Sequence, residues 1–132
     1  MKKIELKDVK PYQAPGHFNM TAMRLQGKEE TGATKFWMGL SNFLPGGGAE
    51  WGYEDNPFEK VYFVLEGEIT VTTPDKHTYM LKASDSLYVG PNEARAIINN
   101  TRKSSCRSIS QLRCRRCQGA LASRSCTIRR HR

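Results

Sequence analysis

Residues 1–99 contain no cysteine, and residues 100–132 contain neither an acidic nor an aromatic residue. Cys106, Cys114, Cys117 and Cys126 all fall in that C-terminal stretch. A secreted domain framed by disulfides spreads its cysteines through the fold, so the pattern argues against that class. No apolar run approaches the roughly 18 residues of a membrane span. The basic start Met1-Lys2-Lys3 is followed by Ile4-Glu5-Leu6-Lys7-Asp8 rather than by an apolar targeting segment. These absences predict a cytoplasmic protein without a membrane partner. Before residue 100 there is no long helical periodicity and no internal repeat.

What is present divides at the same place. The 132-residue chain carries a formal net charge of +8, but residues 1–99 hold 11 Lys and Arg against 13 Asp and Glu, a balance of −2. Residues 100–132 hold 10 Lys and Arg and no acid, a balance of +10. The first part uses nine Lys and two Arg, the second one Lys and nine Arg. The length suits one domain with a real core, and the two parts need separate explanations.

The first part reads as short strands between turns. Ile4 to Val9 is a candidate strand, followed by a loop at Pro11, Pro15 and Gly16. Phe18 to Leu25 is a strand and Gln26 to Thr34 a turn. Phe36 to Leu44 is a strong strand that Pro45-Gly46-Gly47-Gly48 is expected to end. Further strands are expected at 61–66, 68–73, 77–81, 86–89 and 94–98. Turn residues every 8–12 positions indicate an all-β sandwich or barrel. The glycine run lacks the Gly-Lys-Ser/Thr ending and following helix of a phosphate-binding loop, so it reads as a connection.

The stretch from Gly48 to Gly67 organises the rest. It delivers polar residues onto the start of the apolar strand Val61 to Leu65. Its spacing resembles the first signature of the cupin family, G-x5-H-x-H-x3-E-x6-G, with Gly48, Glu54, Asn56, Lys60 and Gly67 at the marked positions. The second signature, G-x5-P-x-G-x2-H-x3-N, falls on Ser84, Gly90, Asn92, Arg95 and Asn99. The resemblance covers roughly residues 36–99 and implies an all-β, double-stranded β-helix, the jelly-roll barrel. It also implies a homodimer.

Many cupins hold one metal on the two His and the Glu of the first signature and the His of the second. Here those positions carry Glu54, Asn56, Lys60 and Arg95. Lys and Arg bring donors and positive charge that oppose a divalent cation. No cofactor is expected, and a metalloenzyme with atypical ligands, Glu54 and His17 among them, is the remaining metal reading. His77 and His131 read as surface histidines.

If the barrel forms, Glu54, Asn56, Lys60 and Arg95 converge inside it. Tyr62 shares a strand face with Lys60 by the period of two. Trp51, Tyr53 and Tyr88 are looser candidates. One reading of the converging charges is an internal ion-pair network, with Glu54 partnering Lys60. The other is a pocket for a small polar or anionic molecule, with two cationic donors for its oxygens. The enzymatic alternative resembles the metal-free isomerase and epimerase branch, with Lys60 as acid or base and Arg95 stabilising an oxyanion.

The domain assignment is a barrel over residues 1–100 and a basic tail over 101–132. The tail fits a nucleic-acid arm, a zinc site on its four cysteines, or sequence not native to the domain. The third accounts best for the switch from Lys to Arg and for a poor closing strand at Arg102 to Ser108. It leaves the tail disordered and nucleic acid without a reader.

Overall fold

The structure is a computed structural model of the chain. It describes residues 1–52 and 55–103 and, as backbone, residues 106–110. Eight strands follow in order: β1 His17–Gln26, β2 Met38–Gly52, β3 Lys60–Glu66, β4 Glu68–Thr72, β5 Thr78–Lys82, β6 Ser86–Val89, β7 Arg95–Ile98 and β8 Cys106–Ser110. A 3-10 turn at Leu6–Asp8 and the single helical turn α1, Lys28–Thr31, complete the elements. No described helix is long and apolar enough to cross a membrane.

Strand alternation builds the interior. Along β3 the side chains of Lys60, Tyr62 and Val64 are buried, while Phe63 and Leu65 face outward. On β4 the β-branched Ile69 and Val71 are inward and essentially sealed from solvent. With Met20, Phe43 and Ile97 from β1, β2 and β7 they form one apolar cluster. Each such side chain contributes about 1.5–3 kcal/mol by leaving water.

All strand pairs are antiparallel, in the order β5-β4-β7-β2-β8-β3-β6, with β1 on the other flank of β2. The result is the all-β jelly-roll barrel that the signature spacing implied.

β2 is the strand that turns the corner. Gly39 to Phe43 pair with β8, whereas Gly48, Ala49 and Gly52 pair with β7. The strand expected to end at the glycine run therefore continues through it. Gly46 takes a left-handed φ of 70°, and Gly47 and Gly48 lie where neighbouring backbones come close. The glycines bend a strand rather than connect two.

Two further differences have local causes. Within the stretch Ile4 to Val9, Leu6–Asp8 forms the 3-10 turn in place of a strand, closed by Val9 N–H donating to the Leu6 carbonyl (3.2 Å). The backbone also continues beyond residue 100, where β8 pairs with both β2 and β3. Main-chain hydrogen bonds serve any sequence, so a polar composition does not prevent this pairing. Tyr53, Glu54, the four cysteine side chains and His131 lie outside the described residues.

Asn99 locks the end of β7. It is fully buried, and its amide nitrogen donates to the carbonyls of Phe43 (3.1 Å) and Leu44 (3.2 Å). Its Oδ1 accepts from Thr101 N–H (3.0 Å) and Thr101 Oγ1 (2.7 Å). Asn99→Leu keeps the volume but strands these partners. It is expected to cost at least about 2 kcal/mol, read from urea denaturation midpoints at unchanged m-value.

Candidate functional site

A cavity of about 400 Å³ opens inside the barrel, within the size range of small-molecule sites. Its deep wall holds Phe43, Tyr62, Arg95 and Ile97 from β2, β3 and β7. Toward the mouth come the Ala14–His17 loop, Tyr12, Arg24, Trp37, Glu50 and Trp51.

Arg95 is the first residue of β7 and faces inward with Ile97, at only 3% exposure. Its Nε donates to Tyr62 Oη at 2.8 Å, and its guanidinium carbon lies 5.5 Å from the Tyr62 ring centroid. Buried guanidinium groups are stabilised by such hydrogen bonding and stacking. Two of the expected site residues, Tyr62 and Arg95, thus meet on one cavity wall.

Lys60 is fully buried and donates from Nζ to the Phe58 carbonyl at 3.0 Å. It is not among the residues lining this cavity. Burial, and then the positive charge of Arg95, hold its pKa below the usual lysine value, with Glu93 opposing. Asn56 shapes the preceding loop: its Oδ1 accepts from Phe58 N–H (3.0 Å) and its carbonyl from Asn92 N–H (2.7 Å). Glu54 lies outside the described residues. His77 is exposed and packs edge-on against Tyr79 at 4.6 Å. Tyr88 donates to Glu59 at 2.8 Å, away from this cavity.

The metal positions of the resemblance can be tested on their donors. Asn56 supplies an amide oxygen already used by Phe58 N–H. Lys60 and Arg95 supply only N–H donors and positive charge. Among the described residues no three His, Cys, Asp or Glu side chains cluster to hold a metal. The described donor set does not fit a divalent cation.

His17, named among the atypical ligands, follows the Pro15–Gly16 loop and opens β1. Its ring lines the cavity, half-buried, with Nδ1 2.7 Å from the Pro15 carbonyl. A carbonyl only accepts, so Nδ1 carries the proton and the neutral ring keeps Nε2 as an acceptor. Burial lowers its pKa from the ordinary 6.5, the Pro15 bond opposes, and the Arg95 charge lowers it further. The unfolded chain therefore binds more protons below about pH 6.5. Stability should fall as pH drops through that window, and His17→Gln should flatten that part of a Tm-against-pH profile between about pH 5 and 7.

Sequence reasoning missed Tyr12, Arg24, Trp37 and Glu50. Arg24 had a usable signal: it follows Met20 and Ala22 at the same β1 parity, and both of these are buried. Among the described lining residues Glu50 is the one carboxylate, against Arg24, Arg95 and His17.

Comparison with known proteins agrees with this architecture. Residues 39–110 match the family profile described as Cupin domain. The chain is 40% identical over 101 residues to a protein of Mycobacterium tuberculosis named beta-D-galactosidase, covering 76% of this chain and 84% of that one. Its fold is similar to a polyketide cyclase of Streptomyces resistomycificus (TM-score 0.73, 22% identity, 85% of this chain and 78% of that chain). It is also similar to an RmlC-like cupin of Shewanella frigidimarina (TM-score 0.69, 16% identity, 91% of this chain and 96% of that chain). At these identities the two structures speak to fold alone.

Proposed function

The chain belongs to the cupin family, and from that premise we propose that it binds a small polar or anionic molecule, a sugar or sugar derivative, in the barrel cavity. The observation that carries this reading is the Arg95–Tyr62 pair, a buried guanidinium and a phenol joined at 2.8 Å on the cavity wall. Guanidinium and phenol groups suit the oxygens of a polyol or an acid. Around them Tyr12, Trp37 and Trp51 supply flat apolar faces of the kind that small-ligand sites combine with a few fixed polar groups. The name of the relative at 40% identity supports a galactoside as the sugar class.

Turnover is the second reading. It is favoured by that same name and by the lowered pKa of Lys60, which brings a neutral amine closer to working pH for acid–base chemistry. Glycoside hydrolysis ordinarily uses two carboxyl groups, and the described wall offers Glu50 alone. Binding requires no second carboxylate and is the conclusion preferred.

The test is isothermal titration calorimetry of the full chain with D-galactose, lactose and D-galacturonate, beside a hydrolysis assay on p-nitrophenyl β-D-galactoside. Saturable binding to at least one of the sugars without turnover supports the binding reading. Hydrolysis abolished by Lys60→Ala or Glu50→Gln would replace it with the enzymatic one. No binding and no turnover would remove both.

A further inference from the structure

Arg24 stands on the cavity wall in an arrangement built around it. It pairs in register with Gly39 across β1 and β2. A Cβ added at Gly39 would lie 2.8 Å from Trp37 Cζ3, so the absent side chain is what lets the Trp37 ring fold over this part of the sheet. That ring centroid lies 5.4 Å from the Arg24 guanidinium carbon. The Tyr12 ring lies at 5.6 Å. Tyr12 is fixed there by an isolated bridge to Ala22, with Tyr12 N–H donating to the Ala22 carbonyl at 2.8 Å and Ala22 N–H returning at 3.3 Å. Two aromatic rings and a glycine gap thus hold one guanidinium at the mouth.

The charge so held forms no ion pair among the described residues. Arg24 Nε is buried without a hydrogen-bond acceptor. No ion pair joins Arg24 to a described carboxylate: Glu50 lines the same cavity, and Glu30 lines a neighbouring depression together with Arg24, its Oε2 likewise buried without a hydrogen-bond partner. Aromatic faces stabilise a guanidinium but leave its N–H donors unspent. A guanidinium stays charged at any working pH, and its fork matches an anionic oxygen group.

We infer that Arg24 is the specificity-determining residue of the cavity and reads an anionic oxygen group, carboxylate or phosphate, on the ligand. This rests on the sugar-binding reading above and deepens it. The ligand is a charged sugar derivative whose hydroxyls lie toward Tyr62 and Arg95 and whose anionic substituent lies at Arg24 near the mouth. The Tyr12 and Trp37 rings orient the guanidinium and exclude water from around it, which strengthens the charge-assisted bonds.

The experiment compares D-galactose, D-galacturonate and D-galactose 1-phosphate by isothermal titration calorimetry on wild type, R24M and R24K. Wild type is expected to bind at least one anionic sugar about tenfold or more tightly than galactose. R24M, which keeps the hydrocarbon stem, should erase that preference, so that the anionic sugar and galactose bind with affinities within about twofold of each other. R24K separates the sources: a point charge retains the phosphate preference, whereas a carboxylate held by the planar fork loses it. If R24M does not fold, G39A displaces Trp37 and should reduce the same preference. Galactose bound by wild type with no preference for either anionic sugar, or a preference that survives R24M, overturns the inference and leaves the binding reading standing. Failure of all three sugars to bind overturns both.

Discussion

Gly48→Ala should yield no folded protein. A Cβ at that position would lie 2.1 Å from the Ile97 carbonyl oxygen, 3.1 Å from its carbon and 3.2 Å from Ile98 Cα. All three atoms are backbone of β7, the strand that Gly48 pairs with directly, so no side chain can swing away to make room. Relief requires β2 and β7 to separate, and the β7 segment carries Arg95, Ile97 and Asn99 into the interior. The expected loss exceeds about 4 kcal/mol, the range reserved for broken cores and lost pairing, and consumes much of the stability of a small domain. Two other glycines of the same strand are controls. Gly52→Ala meets only the Glu50 carbonyl at 4.0 Å, and Gly46→Asn meets nothing within 4 Å at a left-handed φ that Asn tolerates. Both should express and melt close to wild type. Solubility, circular dichroism and thermal melts of the three variants check the ordering.

Arg95→Met should cause the largest functional loss that leaves the fold standing. It removes the guanidinium that donates to Tyr62 at 2.8 Å and faces the cavity, while Met retains much of the packed hydrocarbon. Hydrogen bonds to charged groups contribute about 1.5–3 kcal/mol, so ligand affinity should fall by about ten- to a hundredfold. The same substitution has a signature independent of any ligand. The Arg95 charge helps to lower the pKa of both His17 and Lys60. Removing a positive charge makes protonation easier, so both values should rise toward ordinary in Arg95→Met. An NMR titration of the His17 ring measures this directly. An unchanged His17 pKa would mean that Arg95 and His17 do not share one cavity as described.

Much of this was legible in residues. The β3 parity put Lys60, Tyr62 and Val64 on one face, and all three are buried. Ser84 stands where the second signature has glycine, and it takes the left-handed φ of 75° that explains glycine's usual place there. Asn99, also marked by spacing alone, proves to be a buried bracket for four polar groups. The passage of β2 through its glycines was not legible, because a close approach between backbones looks like a turn when only composition is read. Nor was β8, whose sequence Cys106-Arg107-Ser108-Ile109-Ser110 carries little of the apolar alternation that marked the other strands. The cavity mouth was missed because Tyr12, Arg24 and Trp37 come from segments before the signature spacing begins. Only the β1–β2 register and the bridge to Ala22 bring them to it.

The most direct test of the binding site uses the two tryptophans of the chain, Trp37 and Trp51, both on the cavity wall. Their indole N–H signals in a proton–nitrogen correlation spectrum can be followed as D-galactose or D-galacturonate is added. Both indole signals are expected to shift saturably with at least one of these sugars, and Arg95→Met should move the midpoint to about tenfold or higher concentration. Indole signals that stay in place at every concentration, or that shift equally in wild type and Arg95→Met, would contradict a sugar site in this cavity.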